Sequence, residues 1–332
     1  MTVRTRLRAT AGRAVRRLRG TGPGNPVNPA AGPVTGPPAG KRRAPRTAVL
    51  VVNGFDRRGR WGSYNEDEAR EFPWVRLCLD QIAKHSRGSS YEVLVWDNSW
   101  MPEHRAVIEA DPKVRMFSPA KEGDEIRHGT ALDQLVKKVR PGTKFIITLD
   151  TDSFPIRNGW IENLTGRLDD ETLLAGVWRD EMVPRKPAFI HPCCLAVRRR
   201  TLKELGASFR VGKAADVGHQ VMLAVEERGA RVSRLRRSNH WNPHFLMGAV
   251  YGDLVYHQGA GSRAPVFSAD SDNDHDEAVR LALRDAAFSD LESLLDVLAG
   301  NLEPAAVPAL AALGPSEDQD AGPAEAQAPA PS

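Results

Sequence analysis

The stretch "KFIITLDTDSFPIRNGW", residues 144–160, combines a continuous apolar run with two aspartates that are separated by one threonine. Apolar residues at successive positions are typical of a strand covered on both faces, as in a parallel sheet flanked by helices. Asp150 and Asp152 follow at the carboxyl end of that strand. Because an unpaired carboxylate beside a buried strand is costly, the stretch predicts either a ligand or a capped turn at this point.

The same alternation of strand-like and helical patterns continues on both sides of this stretch. Further strands are predicted at "TAVLVVNGF" (47–55), "YEVLVWDNS" (91–99) and the short "KVRMFSP" (113–119). Helices are predicted at "WVRLCLDQIAKHS" (74–86), "PEHRAVIEA" (102–110) and "GTALDQLVKKV" (129–139). Strands that alternate with helices predict a single α/β domain with a Rossmann-like, mostly parallel central sheet flanked by helices.

Composition separates both ends of the chain from its middle. Residues 1–46 are basic and rich in Pro and Gly, whereas residues 301–332 are acidic and rich in Ala and Pro. Neither segment has enough apolar surface to fold alone, so both are predicted to be disordered. The folded domain is predicted at residues 47–300, divided into 47–155, 156–265 and a C-terminal helix at 270–300.

Charge and cysteine content narrow the class of protein. Residues 1–46 contain eleven Lys or Arg and no acid, so the overall formal charge of +4 leaves −7 on the remainder. This distribution argues against a nucleic-acid-binding domain, whose basic residues should lie on the folded surface. The basic tail is predicted to be solvated, with weak contact with an anionic membrane as the alternative. Three cysteines without metal spacing predict a cytoplasmic protein, with a peripheral position at the inner membrane face as the alternative.

Polar side chains follow three of the predicted strands, at Asn53, residues 97–99 and residues 150–153. The carboxyl ends of parallel strands meet at one edge of a sheet, where ligands of such sheets bind. Asp150 and Asp152 can face one hard cation such as Mg²⁺ or Mn²⁺ and leave its other positions to diphosphate oxygens. The alternative is that one of them caps the turn with Ser153.

The order of these elements resembles the nucleotide-sugar-binding half of family-2-type glycosyltransferases with the GT-A fold. The resemblance rests on the first strand, "VWDNS", the helix near "HGTALDQL" and "FIITLDTDSFP", and assigns residues 47–155 to that half. It implies that Asp97 holds the nucleobase, with Asn53 and Asn98 in the same nucleotide-sugar site. It also implies that Asp150 and Asp152 hold a metal ion, Mn²⁺ or Mg²⁺, and the diphosphate.

The second half resembles the same family more loosely. In "GASFRVGKAADVGHQVMLAVEERGARV" (206–232) only the aspartate of the family's Glu-Asp pair is present, because Ala215 precedes Asp216. The resemblance implies that Asp216 is the catalytic base; the alternative is an N-cap for a helix at 217–227. "LVYHQGAGSR" (254–263) resembles the late metal-binding segment, which implies His257 as third metal ligand and Arg263 near phosphate. Otherwise His257 is a core or capping residue.

Two further stretches carry weaker signals. "RSNHWNPHF" (237–245) places Trp241 between histidines, so Trp241 and His191 are candidates for the acceptor side, although core packing explains Trp241 equally well. "DSDNDHDEAVRLAL" (270–283) lacks the Gly and Glu of a calcium-binding EF-hand loop. It is predicted to lead into an amphipathic helix at 277–298.

Together these expectations describe a metal-dependent transferase that moves a sugar from a nucleoside diphosphate, with inversion, onto a hydroxyl of a carbohydrate, lipid-linked or small-molecule acceptor. Three rivals stay open. A haloacid-dehalogenase-type phosphohydrolase places D-x-D earlier in the fold, and a sugar-phosphate nucleotidyltransferase should show a basic Gly-rich loop after the first strand. A non-catalytic carbohydrate-binding protein on the transferase fold would explain Ala215.

Overall fold

A seven-stranded sheet, ordered β3-β2-β1-β4-β7-β6-β8, forms the centre of the computed structural model. The structure describes residues 44–54, 66–181, 183, 187–212, 216–259, 261 and 275–313. The sheet contains β1 (Thr47–Asn53), β2 (Tyr91–Asp97), β3 (Val114–Phe117), β4 (Phe145–Asp150), β6 (Thr172–Arg179), β7 (Phe189–Arg198) and β8 (Arg231–Leu235). The remaining strands are β5 (Ser153–Pro155), β9 (Ala249–Tyr251) and β10 (Val255–His257).

Helices cover both faces of this sheet. They are α1 (Glu66–Glu71), α2 (Trp74–His85), α3 (Pro102–Ala110), α4 (His128–Lys138), α5 (Trp160–Gly166), α6 (Arg199–Leu205), α7 (His219–Glu226), α8 (His275–Ser289) and α9 (Leu291–Leu298). One buried apolar cluster joins the sheet to α2, α3, α5, α8 and α9, and a second joins it to α4, α6 and α7. The predicted α/β class with a mostly parallel, helix-flanked sheet is therefore confirmed.

The pairing of neighbouring strands defines their directions in the sheet. Strands β3, β2, β1 and β4 run parallel, whereas β7 is antiparallel to both of its neighbours, β4 and β6. The register pairs Asn53 with Asp97 and Val52 with Asp150. The three strand ends that carry polar residues therefore meet at one edge, as the sequence predicts.

A small antiparallel sheet, ordered β5-β10-β9, adjoins this edge. Ser153, the first residue of β5, pairs with His257, the last residue of β10. Because β5 follows β4 after a two-residue turn, this pairing places His257 next to the carboxyl end of β4.

The C-terminal part differs from the sequence-based prediction in two ways. The helix predicted at 277–298 is two helices, because Asp290 ends α8 and begins α9 by accepting a hydrogen bond from the Ser293 amide at 3.1 Å. The predicted disordered tail also begins too early. Val307 and Leu310, 2% and 0% exposed, belong to the core, so the packed chain extends to residue 313.

No helix in the described part of the chain is long and apolar enough to cross a membrane.

An ion-pair cluster joins α1 to α8. The Arg280 guanidinium, whose side chain is 3% exposed, donates to Glu68 Oε1 and Oε2 at 2.5 and 3.0 Å, and Arg284 reaches the same carboxylate at 2.9 Å. Burial alone would raise the pKa of Glu68, but the hydrogen bonds and charges of the two arginines lower it below its ordinary value of 4.5. Glu68 is therefore ionised in the folded protein at neutral pH.

Replacement Glu68→Gln is expected to lower the free energy of unfolding at pH 7 by about 2 kcal/mol, because it removes the charged acceptor that Arg280 and Arg284 share and leaves them only Glu277 and Asp285 as charge partners. Since the folded pKa lies below the unfolded one, this contribution is complete above the unfolded pKa and is lost as pH falls through the folded pKa. Urea denaturation at pH 7 and at successively lower pH should show the gap between wild type and variant closing. Glu292→Gln, at a pair whose carboxylate is 83% exposed, is the matched control and should change little. A gap that does not depend on pH would contradict this account.

Candidate functional site

Asp150, Asp152 and His257 converge at the carboxyl edge of the central sheet. Asp150 ends β4, Asp152 lies in the turn before β5, and His257 ends β10. One ligand-capable atom from each residue lies within 4.8 Å of the others. The two carboxylates and the imidazole that the sequence singles out therefore form one cluster, which we call the acidic cluster.

Backbone hydrogen bonds hold this cluster in place. The Gln258 amide donates to the Asp152 carbonyl at 2.9 Å, and the Gly261 amide donates to Asp152 Oδ2 at 2.8 Å. A β-carbon on Gly261 would lie 2.6 Å from the Asp152 β-carbon, so only glycine allows this approach. Ser153 donates its hydroxyl to the Cys193 carbonyl at 2.7 Å, which ties the turn to β7.

Two buried polar atoms of the acidic cluster have no hydrogen-bond partner within the described ranges, Asp150 Oδ1 and His257 Nδ1. His257 Nε2 lies 3.9 Å from Asp152 Oδ1, beyond hydrogen-bond distance. Buried polar atoms without partners are rare and costly in native proteins. Two carboxylates and one imidazole suit Mn²⁺ or Mg²⁺, so the residues present fit a divalent cation.

The neutral state of His257 favours metal ligation. Burial lowers the pKa of His257 below its ordinary value of 6.5, against the opposing pull of the Asp152 carboxylate. A neutral imidazole offers a lone pair to a cation, whereas the protonated ring cannot.

His128 is a fourth member of this region that sequence reasoning missed. It is the first residue of α4, and its Nε2 lies 3.2 Å from Asp150 Oδ1 without hydrogen-bond alignment. The segment "HGTALDQL" could have indicated this position of His128, because the helix that follows β3 should begin at the same sheet edge as Asp150.

Asp97 and Asn53, the predicted nucleotide-sugar contacts, are hydrogen-bonded to each other at the carboxyl ends of β2 and β1. The Asp97 side chain is 0% exposed, and its Oδ1 accepts from Asn53 Nδ2, the Ser99 amide and the Ser99 hydroxyl at 2.6–3.0 Å. Its Oδ2 accepts from Arg105 Nε at 3.1 Å. Asp97 therefore joins a hydrogen-bond network at the end of β2, and its contact with a nucleobase stays a prediction.

The Asn98 side chain is also hydrogen-bonded to other residues of the protein. Its amide group donates to the Ile126 carbonyl at 2.9 Å, and its Oδ1 accepts from the Ile126 amide at 3.3 Å and from Trp96 Nε1 at 3.0 Å. Asn98 therefore fixes the segment that leads into His128. Its predicted contact with the donor stays a prediction.

A series of aromatic rings connects the acidic cluster to the start of α7. His257 lies 6.2 Å from His191, measured between ring centroids, and His191 lies 5.6 Å from Phe189. Phe189 stacks on His219, the first residue of α7, at 4.9 Å. His191 is therefore next to the cluster.

Asp216 lies just before α7, in a turn that differs from the predicted cap. Its Oδ1 accepts from the Val217 amide at 2.8 Å, and its carbonyl accepts from the His219 amide at 3.2 Å. The N-cap of α7 is Gly218, with φ of 78°, so the helix begins two residues later than predicted. Asp216 is partly exposed.

Trp241 is only 5% exposed and belongs to the apolar core, which supports the core-packing alternative over a sugar platform. Arg263 lies outside the described residues. Burial raises the pKa of all three cysteines, Cys78, Cys193 and Cys194, so their thiols stay protonated. Protonated thiols are poor nucleophiles and poor metal ligands.

A second group missed from the sequence is a buried network at the end of β6. Arg179 pairs with Glu181 at 2.9 Å, and the Tyr251 hydroxyl donates to Glu181 Oε1 at 2.5 Å. Arg179 lowers and Glu181 raises the pKa of His257, with smaller effects than burial and Asp152. This network places an ion pair, with one charge of each sign, near the cluster.

No family model matches the sequence, and no curated protein matches it. Among solved structures, a mannosyltransferase from Pyrobaculum calidifontis in complex with GDP-Man and Mn²⁺ is 18% identical over 81% of this chain and 74% of that chain, with a TM-score of 0.44. A 4-diphosphocytidyl-2C-methyl-D-erythritol synthase from Anaerococcus prevotii is 10% identical over 57% and 86%, with a TM-score of 0.38. A candidate nucleotide-diphospho-sugar transferase from Desulfovibrio desulfuricans is 9% identical over 58% and 80%, with a TM-score of 0.39. At these identities and TM-scores the likenesses assign no reaction to this chain.

Proposed function

We propose that this chain is a divalent-metal-dependent glycosyltransferase with a GT-A fold that uses a nucleoside-diphosphate sugar as donor. The observation that carries the proposal is the acidic cluster, in which Asp150, Asp152 and His257 meet within 4.8 Å at the carboxyl edge of a parallel sheet. This edge is where α/β sheets bind their ligands. Asp150 Oδ1 and His257 Nδ1, which have no hydrogen-bond partner among the residues that the structure describes, support a cation there.

Asp150, Asp152 and His257 would hold Mn²⁺ or Mg²⁺. When bound, the ion supplies positive charge that stabilises a departing nucleoside diphosphate. Burial of His257 and Asp152, at 5% and 7% exposure, excludes water from that side and strengthens the electrostatic attraction to the diphosphate. The network around Asp97 and the Asn98 contact with Ile126 keep the edge of the donor site rigid.

Asp216 is the proposed general base. It would accept the proton of the acceptor hydroxyl while the acceptor oxygen bonds to the anomeric carbon and the bond to the diphosphate breaks. Attack from the face opposite the diphosphate gives inversion. The ring series from His219 to His257 supports this assignment, because it fixes the start of α7 relative to the acidic cluster. His191, next to His257, would line the acceptor side.

A donor screen tests the reaction class. Full-length protein is incubated with UDP-, GDP- and dTDP-sugars, with Mn²⁺ or with EDTA, and thermal shift and nucleoside diphosphate release are measured. We expect one donor class to raise the melting temperature and to be consumed only with the metal, because a ligand that binds the native state stabilises it. Pyrophosphate release from a nucleoside triphosphate and a sugar phosphate would instead identify a nucleotidyltransferase.

Replacement Asp216→Asn is expected to lower sugar transfer by about 10²- to 10⁴-fold, the usual contribution of a general base. Donor and Mn²⁺ binding should not change, since the asparagine oxygen can still accept from the Val217 amide. Transfer is measured by product formation and donor binding by calorimetry. Asp253→Asn is the matched control, because Asp253 is exposed and its φ of 50° is tolerated by asparagine. Full transfer by the Asp216 variant would remove the residue from the mechanism.

A further inference from the structure

A groove lies at the amino end of strands β1 and β4, opposite the acidic cluster. It has a volume of about 990 Å³ and lies between α4, α6 and the residues that precede the two strands. Backbone hydrogen bonds join its walls: the Lys144 amide donates to the Arg46 carbonyl at 2.9 Å, and the Arg199 amide donates to the Lys144 carbonyl at 2.9 Å. We call it the basic groove.

Eight lysines and arginines line the basic groove, against one acid, Asp133. The Asp133 carboxylate is already bound to the Ser208 hydroxyl, the Phe209 amide and Arg210. Five of the cations have no carboxylate within 4 Å among the described residues: Arg46, Lys137, Lys144, Arg199 and Lys203. The chain outside residues 1–46 is acidic on balance, so this concentration of unpaired positive charge is local.

A second observation points to a ligand in the same place. Thr143 lines the groove and is 4% exposed, yet its buried hydroxyl has no hydrogen-bond partner in the part of the chain that the structure describes. A buried hydroxyl without a partner is costly. An anion held beside Lys144 would give this hydroxyl an acceptor if the Thr143 side chain rotates toward the groove.

We propose that the basic groove binds a phosphate-bearing ligand, at a site separate from the acidic cluster. Lysine and arginine form strong charge-assisted hydrogen bonds with phosphate oxygens. The groove also contains the apolar side chains of Val136, Phe145, Leu202 and Phe209. This combination suits a phosphate group that is attached to an apolar body, and it also accepts free phosphate.

The test uses full-length protein in EDTA, so that no divalent cation draws phosphate to the acidic cluster. Binding of inorganic phosphate and of monomeric dihexanoyl phosphatidate is measured by calorimetry, with dihexanoyl phosphatidylcholine as the zwitterionic comparison. The groove variant is Lys144→Ala with Arg199→Ala. The control variant, Arg76→Ala with Lys84→Ala, removes the same charge from α2, and residues 1–43 are present in every protein.

The groove variant is expected to raise the dissociation constant of the phosphate probes about tenfold or more, since it removes two charge-assisted contacts. Thr143→Val, which keeps the shape of the side chain, should weaken binding several-fold, and the control variant should bind as wild type does. Phosphatidate binding about tenfold tighter than inorganic phosphate would identify a lipid phosphate as the ligand class, and equal binding would identify free phosphate. The proposal is overturned if neither probe binds wild type, or if the groove and control variants bind equally.

Discussion

Replacement Asp150→Asn is expected to lower metal-dependent transfer strongly while leaving the metal-free protein at least as stable as wild type. Asp150 Oδ1 has no hydrogen-bond partner among the described residues and only the poorly aligned His128 Nε2 at 3.2 Å, so the substitution breaks no hydrogen bond at that oxygen. It does remove one of two neighbouring carboxylates, whose repulsion disfavours the empty site. We expect activity to fall by about 10³-fold, because several kcal/mol of charge stabilisation disappear and each 1.36 kcal/mol is tenfold in rate.

Three measurements separate loss of the metal from loss of the fold. Transfer with Mn²⁺ reports activity, electron paramagnetic resonance reports Mn²⁺ affinity, and urea denaturation in EDTA reports metal-free stability. Asp67→Asn is the matched control, because the Asp67 side chain is 96% exposed on α1. If the Asp150 variant retains Mn²⁺ affinity and rate, the metal assignment is wrong. A large loss of metal-free stability would mean that Asp150 serves the fold.

The second large effect is expected from Gly129→Ala. Gly129 is the second residue of α4, and a β-carbon there would lie 2.2 Å from the Phe209 carbonyl oxygen. The obstacle is backbone, and Asp133 holds that backbone through the Phe209 amide at 2.9 Å. We expect a loss of about 2–3 kcal/mol in the free energy of unfolding, the usual cost of overpacking. Activity should fall too, because a displaced α4 moves His128 away from Asp150.

Gly166→Ala provides the same substitution without the obstacle. Gly166 ends α5, and no atom outside its immediate chain neighbourhood lies within 4 Å of a β-carbon built there. Alanine is favoured over glycine in helices, so this control should be as stable as wild type or slightly more stable. Urea denaturation and transfer assays are run on both variants. Equal stability of the two would contradict the close approach of α4 and Phe209.

The pattern of apolar runs was enough to predict the sheet and the edge at which its polar strand ends meet. Strands such as β1 and β4 are apolar at almost every position, and this pattern forces burial on both faces. The direction of β7 was not predictable, because a buried antiparallel strand inside such a sheet has the same continuous apolar pattern. The pairing of β10 with β5 depends on contacts between residues about a hundred positions apart, which periodicity does not contain.

The candidate site, like the sheet, was only partly predictable from the sequence. Asp150, Asp152 and His257 were singled out by residue type and position, and the structure brings them together. The hydrogen-bond partners of Asp97, Asn53 and Asn98 were not predictable, because a polar residue after a strand can face a ligand, satisfy its neighbours or do both. The structure adds their contacts with Ser99, Arg105 and Ile126. The basic groove was hidden because its cations come from segments far apart in sequence.

Anomalous diffraction from a crystal grown with Mn²⁺ and a nucleoside diphosphate tests the central claim most directly. We predict one manganese peak within about 2.5 Å of an oxygen of Asp150, an oxygen of Asp152 and a nitrogen of His257, the range of ordinary metal–ligand distances. Diphosphate oxygens should complete its coordination. A manganese peak at any other position, or a bound nucleotide with no metal at these three residues, would contradict the account.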